Sequence, residues 1–535
     1  MFDCLLIFFL SIKVKTFVRT HFFNSTLYQV GGKFGPYPIF PCFLFNIYPL
    51  INRTTNGQEQ ELATFCHLLT PKFAGAKVYV FETAVGLEGV IRCNLDFLIA
   101  LLLFFVFLRS KNSIGHIMNK LTIKNIGPLK SVFVDFAKYN LFIGPQSSGK
   151  SCILKIASFC NWIEKRIELS QSSDDYLNKV VFWERLVDYH RLNGFIKKGF
   201  LIKYESSYMI FSISGSLENI QFSFKWKPRN RWQYRRPQIA YIPAERNIVA
   251  VIPNWFDISF SNDNNIQGYL SDWENARNNF SQQNKLGILN LGLSYYYDNK
   301  QHRESIYIDK NTEISFLNAS SGLQSVVPLC GLVNYLTFHE LHRPRKLSVA
   351  QERELNHLQD VLYEERFTQS KGVTIVGRVD DITNTYPEPR IKSFGSFKDE
   401  SQFSEIVDNY SLTQYASFYL EEPEENLFPA TQYELVKWIA KQINTTKENS
   451  LCIATHSPYI LSSFNNLIQA ADNPKVAESI VGESTAIPFE DINVYAVDKG
   501  MAKDIKDYDL RLISQTELDT ASDTISSDFS KLLEP

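Results

Sequence analysis

Zinc-ligand spacing, disulfide density, a dominant charge and a bilayer-length apolar run are all missing from this sequence, and each absence removes a class of protein. The eight cysteines, at positions 4, 42, 66, 93, 152, 160, 330 and 452, form no CxxC pair and have no histidine at ligand spacing. Zinc modules and disulfide scaffolds are therefore excluded, and free thiols in a reducing, cytoplasmic compartment are expected. With 55 basic and 57 acidic residues the net charge is −2, so any contact with nucleic acid needs a local patch rather than bulk attraction. Phe97 to Leu108 holds twelve apolar residues, about 18 Å of helix where a bilayer needs roughly 20 residues. The opening run Leu5 to Leu10 lacks the basic-apolar-small layout of a secretory signal. Neither a heptad array nor a repeat of 20–50 residues is visible.

What is present is an ordinary globular composition, 44% hydrophobic and 21% charged over 535 residues, too long for one core and too apolar for disorder. Its distribution is uneven. Seventeen of the 41 phenylalanines fall in 1–117, which carries a net charge of +4 and ends just before Met118, one of only four methionines. We read 1–117 as a non-native upstream extension, with translation starting at Met118; a disordered or membrane-associating arm and a small domain are the alternatives. The remainder divides into 118–340, an insertion at 341–412, a return at 413–470, and a C-terminal segment, 471–535.

From Leu121, alternation predicts two strands around Gly127-Pro128, then a short apolar strand, Asn140 to Ile143, and a helix from Ser151 to about Ile167. Strands are expected within 200–226, at Ile239 to Ile242, at 288–297 and 305–308, at Ala416 to Leu420 and at Leu451 to Ala454. A charged helix in 343–367 has Ser348 as N-cap, and helices follow near 430–443 and from 458. The stretch 369–412 reads as polar and Pro/Gly-punctuated.

Between the third strand and its helix lies Gly144-Pro145-Gln146-Ser147-Ser148-Gly149-Lys150-Ser151, the pattern G-x4-G-K-[ST]. Glycine lets such a loop turn its N–H groups inward around phosphates, and the helix adds its positive end. Lys150 is a point charge for the β- and γ-phosphates, and the Ser151 hydroxyl is a ligand for Mg²⁺; Cys152 completes the candidate nucleotide contacts. Elsewhere an apolar strand ends in Glu421-Glu422-Pro423-Glu424-Glu425-Asn426, placing carboxylates at the carboxyl end of a sheet. There Glu421 could hold Mg²⁺ and Glu422 could polarise a water. Alone, this run reads equally well as a solvated turn. His456 follows another strand, with Ser457 and Pro458 opening a helix, and a histidine so placed can hold an attacking water. Ser321-Gly322 lies before an apolar helix, by itself a commonplace cap.

In this order the elements resemble the ABC-type ATPases, specifically the SMC/RecF-like branch and the AAA-family ATPases found in bacterial anti-phage systems. LTIKNIGPLKSV, NLFIGPQSSGKS, YIPAER, NASSGLQS, FYLEEPEENLFP and ATHSPYIL carry the likeness over about 118–470. The resemblance implies an α/β P-loop fold with a mixed sheet, an antiparallel β subdomain and a helical insertion. It implies ATP and Mg²⁺ as ligands, Glu422 as the general base, Glu421 as the Mg²⁺-associated acid and His456 as the switch histidine. It further implies a homodimer in which Ser321 and Gly322 cap the γ-phosphate held by a twin. Departures are Gln146 for Asn, Glu421 for Asp and Phe428 for His. Glu245 and Arg246 match a recurring motif without an assigned role. The connection from Gly322 to Glu421 is longer than in transporter motors, and no coiled coil intervenes as in long SMC proteins. A stand-alone head with a separately encoded effector, often a nuclease in defence operons, is the expectation by analogy; an ATP sensor with little turnover and a RecF-like repair ATPase are the alternatives.

One further stretch is unusual. Between Lys225 and Arg236 six of twelve residues are basic (Lys225, Lys227, Arg229, Arg231, Arg235, Arg236), with Trp226, Trp232 and Tyr234 interleaved. That mixture suits phosphate contact and base stacking; an exposed hairpin with charged edges is the plainer reading.

Overall fold

The computed structural model describes residues 119–252, 255, 263–344, 347–368, 392–514 and 520–533. All of them belong to Gly115–Pro535, one of two units into which the chain divides. The reading of 1–117 as an extension lies outside the described residues.

Alternating inward residues make β1 (Lys120–Ile126) and β2 (Leu129–Asp135) an antiparallel hairpin. In β3 (Tyr139–Ile143) all five residues are buried, the mark of a parallel strand covered on both faces. The phosphate loop leads into α1 (Lys150–Ser170), followed by β4 (Ile196–Glu205), β5 (Met209–Gly215) and β6 (Ile220–Trp226). These three strands join the hairpin in a five-stranded antiparallel sheet, β2-β1-β4-β5-β6. Next come β7 (Pro237–Ile242), α2 (Asn265–Arg277) and a four-stranded meander: β8 (Leu286–Ile288), β9 (Leu293–Asp298), β10 (Arg303–Asp309) and β11 (Thr312–Ser315). The helix α3 (Ser321–Asn334) precedes the helical insertion, α4 (Val349–Leu362) and α5 (Phe397–Ser411). The chain returns through β12 (Tyr415–Glu421), α6 (Pro429–Ile443), β13 (Ser450–Thr455), α7 (Pro458–Asp472), β14 (Ile492–Asp498) and β15 (Met501–Asp504). The architecture is thus mixed α/β, with an antiparallel β subdomain and a helical insertion.

The central sheet has the order β15-β14-β3-β13-β12-β7; β14, β3, β13, β12 and β7 run parallel and β15 antiparallel. Register decides where the site forms. Ile143 pairs with Thr455, Glu421 with Ala454, and Leu420 with Ile242. The carboxyl ends of β3, β13, β12 and β7 are therefore level, and the loops that follow them share one edge.

Side chains alternate across this sheet. Tyr139, Leu141 and Ile143 face a core shared with α2, α3, α6 and α7, whereas Phe142 faces one shared with α1 and the antiparallel sheet. Leu141 and Phe142 are 0% exposed, and burying one such side chain stabilises by roughly 1.5–3 kcal/mol, so the strand beneath the phosphate loop is anchored from both sides.

The insertion packs through its own cluster, in which Leu358, Leu362, Ile406 and Tyr410 meet Trp232 and Tyr234. Ser348 caps α4, reinforced by Gln351 in a capping box. The polar reading of 369–412 is corrected in its second half by α5; of α5's fifteen residues only Ile406 and Tyr410 are buried, too few for a visible apolar period. The first half, 369–391, lies outside the described residues.

Candidate active site

The phosphate loop is shaped by close packing. A Cβ at Gly144 would lie 2.1 Å from the Val497 carbonyl oxygen. At Gly149, φ is +108° and a Cβ would lie 2.4 Å from Leu129 Cδ2. Both positions therefore require glycine. Pro145, Gln146 and Ser147 are exposed, while Ser148, Gly149 and Lys150 are buried. Ser148 Oγ is buried without a hydrogen-bond partner among the described residues, an orphaned hydroxyl that a phosphate oxygen would satisfy. The Cys152 side chain belongs to the core, its thiol pushed up to about 12 by burial, so only its backbone is left for a nucleotide.

Lys150 Nζ donates to the carbonyls of Gly144 and Pro145, both at 2.9 Å, and lies 3.4 Å from His456 Nδ1. An ammonium only donates, so Nδ1 is the acceptor and the imidazole proton sits on Nε2. That nitrogen is 3.7 Å from Glu422 Oε1, within reach of electrostatic attraction though long for a hydrogen bond. Lys150, His456 and Glu422 thus form one chain of contacts across the loops after β3, β13 and β12. Burial lowers the Lys150 pKa to about 8, opposed by the negative charges of Glu422 and Glu424.

Further groups hold these in place. The His456 N–H donates to Glu424 Oε1 at 2.6 Å, and Ser457 caps α7 while its hydroxyl donates to Gln432 Oε1 at 2.6 Å. Glu422 has φ +44°, a left-handed conformation rare outside glycine and concentrated at functional sites; its N–H is tied to Ala454 O at 2.8 Å. Glu421 is 6% exposed, and its Oε1 accepts from Tyr241 at 2.6 Å. The Tyr241 ring packs against buried His190 at 5.3 Å between centroids, and burial pushes that imidazole down to about 3, so it stays neutral.

Ser151 and Glu421 offer hydroxyl and carboxylate oxygens, the donors Mg²⁺ takes. Among the described residues no group of three or more His, Cys, Asp or Glu could hold a metal ion, so a cation here would draw its remaining ligands from nucleotide and water. Ser321 and Gly322 are not gathered around Lys150. Ser320 caps α3, Ser321 is exposed, and Gly322 packs against the acidic loop, where a Cβ would lie 2.9 Å from Asn426 O. Arg246, left without a role by the sequence, is fully buried beside Glu421 and Glu422. Neither Arg246, Tyr241, Glu424 nor Gln432 is singled out by spacing. Pairing of β7 with β12 is what brings Tyr241 and Arg246 to the acids; the sequence marked both only as members of the YIPAER stretch at a strand end, without a role.

The basic stretch requires correction. Trp232 and Tyr234 are buried in the insertion core, so they are not platforms for bases. Lys227 pairs with Glu205 at 2.8 Å, and Arg231 with Glu365 at 3.1 Å. Arg235 pairs with Glu448, and Arg236 donates to Ser411 O at 2.9 Å. Lys225 and Arg229 are exposed. Arg231, Trp232, Tyr234 and Arg236 thus brace the insertion against the head.

No family model and no curated protein matches the chain. Among solved structures, the SMC head domain from Thermotoga maritima aligns at 8% identity and TM-score 0.31, covering 72% of this chain and 98% of that one. An Smc head domain with an extended coiled coil from Pyrococcus furiosus, bound to the C-terminal domain of ScpA, aligns at 10% and 0.30, covering 76% and 100%. The recombination mediator RecF with ATP aligns at 9% and 0.24, covering 73% and 100%. Among the described residues no helix is long and apolar enough to cross a membrane.

Proposed function

We propose that this chain binds and hydrolyses ATP and works as a nucleotide-gated dimerisation switch. The observation that carries the proposal is the contact chain from Lys150 through His456 to Glu422, 3.4 Å and 3.7 Å in its two links, set at the level carboxyl ends of parallel strands. The loop N–H groups and Lys150 bind the triphosphate, and the Ser148 hydroxyl is free to join them. Ser151 and Glu421 are the residues that would hold Mg²⁺, which supplies charge neutralisation on the phosphates when bound. Glu422 accepts the proton of the attacking water, and His456, carrying its single proton on Nε2, donates it in a hydrogen bond to the γ-phosphate. Ser321, exposed at the start of α3, and Gly322 beside it complete the pocket of a second copy. Loss of the γ-phosphate then removes the bridge and frees the two heads.

Phosphate release by the full chain with MgATP tests the enzymatic half. Turnover in the wild type, with a loss of about 10²–10⁴-fold in Glu422→Gln, supports it; equal rates remove Glu422 as the base. One observation favours a slow sensor instead: Glu421, in place of the usual Asp, is engaged by Tyr241. Nucleotide binding without measurable release would select that reading. A separately encoded effector, in defence or repair, remains the sequence-based part of the proposal, and for DNA the exposed pair Lys225 and Arg229 is what the fold leaves available.

A further inference from the structure

A guanidinium is rarely buried unless its donors are matched. Arg246 is 0% exposed, and its matching is extensive. Nε donates to Ser325 O at 3.1 Å, Nη1 to Glu421 O at 2.9 Å, and Nη2 to Glu422 O at 2.7 Å. Nη1 also lies 3.6 Å from Glu425 Oε2. The residue's own carbonyl accepts from Tyr269 at 2.8 Å, so backbone as well as side chain is held.

These partners come from separate stretches. Ser325 lies one turn beyond Ser321 in α3, and Glu421 and Glu422 form the acidic end of β12. A second seam runs beside the first: Asn426 Nδ2 donates to Ser325 Oγ at 3.0 Å, and Gly322 lies against Asn426 O. The planar fork of arginine can satisfy three carbonyls at fixed angles, which a single ammonium on a flexible stem cannot do.

We propose that Arg246 is a positioning residue: it clamps the Glu421 and Glu422 backbone to the first turns of α3, so that the catalytic acids and the Ser321–Gly322 turn move as one body. The proposal rests on the ATPase reading of the same site and adds a direction of communication. Nucleotide held by one head's phosphate loop sets its acids, and through Arg246 sets the turn that head presents to its twin.

Hydrogen–deuterium exchange of the full chain, with and without MgATP, reads segments 144–151, 320–330 and 421–427 separately. In the wild type all three gain protection. In Arg246→Lys, protection at 144–151 persists while the response at 320–330 is lost, and kcat falls with KM unchanged. A response at 320–330 retained in Arg246→Lys overturns the clamp, as does a wild type protected at 144–151 but not at 320–330. KM rising in step with the loss of kcat also overturns it. No protection at 144–151 in the wild type is a separate signature and overturns the nucleotide reading, and the clamp with it. If Arg246→Lys does not melt cooperatively, Tyr269→Phe, which releases the Arg246 carbonyl and leaves the guanidinium, is read the same way: a weakened response at 320–330 supports the clamp and an unchanged one overturns it.

Discussion

Lys150 is the residue on which the site chemistry turns. Its ammonium is held by Gly144 O, Pro145 O and His456 Nδ1, and burial sets its pKa at about 8. Phosphate oxygens favour the charged form, so binding takes up a proton wherever the unliganded lysine has lost one. ATP affinity should be level below pH 8 and weaken by up to about tenfold per unit above it, measured by titration calorimetry across pH 7–9.5. Lys150→Arg should flatten that profile, and Lys150→Ala should abolish binding. Glu422→Gln should bind ATP normally and turn it over about 10²–10⁴-fold more slowly, as seen by phosphate release. Lys150 and Ser151 were readable as candidates from the G-x4-G-K-[ST] pattern, and Glu421, Glu422 and His456 from their places at the ends of apolar strands. Arg246 and Tyr241 were visible only as part of YIPAER, without a role, and Gln432 not at all, because their partners are set by strand register and helix packing between stretches distant in the chain.

At the scale of elements, the loop and α1 each yield a test. Gly149 combines φ +108° with a would-be Cβ 2.4 Å from Leu129 Cδ2. Gly149→Ala should therefore lose ATP binding and destabilise the fold by about 1–3 kcal/mol, read by denaturant unfolding. On α1, Glu164 accepts from Tyr204 at 2.7 Å and Glu168 from Tyr410 at 3.0 Å. Burial pushes the two carboxyls up to about 7 and about 8. The folded chain thus keeps protons that the unfolded chain releases above the ordinary value of 4.5. Stability from this pair is full below that value and is lost as pH rises through 7 and 8. The melting temperature should fall from pH 5 to 8.5, and Glu168→Gln should flatten the fall. Strands β1, β3, β12 and β13 and helix α1 were readable from period and flanking turns. Helix α2 was not: Asn, Gln and Asp dilute its pattern, and Ile266, Tyr269, Leu270 and Trp273 become core only on packing. Strand β14 was not foreseen either: it neighbours β3, and the parallel crossover hides that adjacency.

For the whole molecule, one chain gathers the phosphate loop, the acids and the histidine, while Ser321 stands exposed at the start of α3. Under the proposed switch, in which that turn closes the pocket of a second copy, association should follow nucleotide. The basic stretch 225–236 shows the limit of reading charge from sequence: Arg231 and Arg236 are drawn to Glu365 and Ser411 of the insertion, and Arg235 to Glu448 of the head. The most direct test of the account is the light-scattering mass of Glu422→Gln with and without saturating MgATP. The account predicts monomer mass without nucleotide and twice that mass with it, and monomer throughout for Lys150→Ala. A Glu422→Gln protein that binds MgATP and remains a monomer would contradict it.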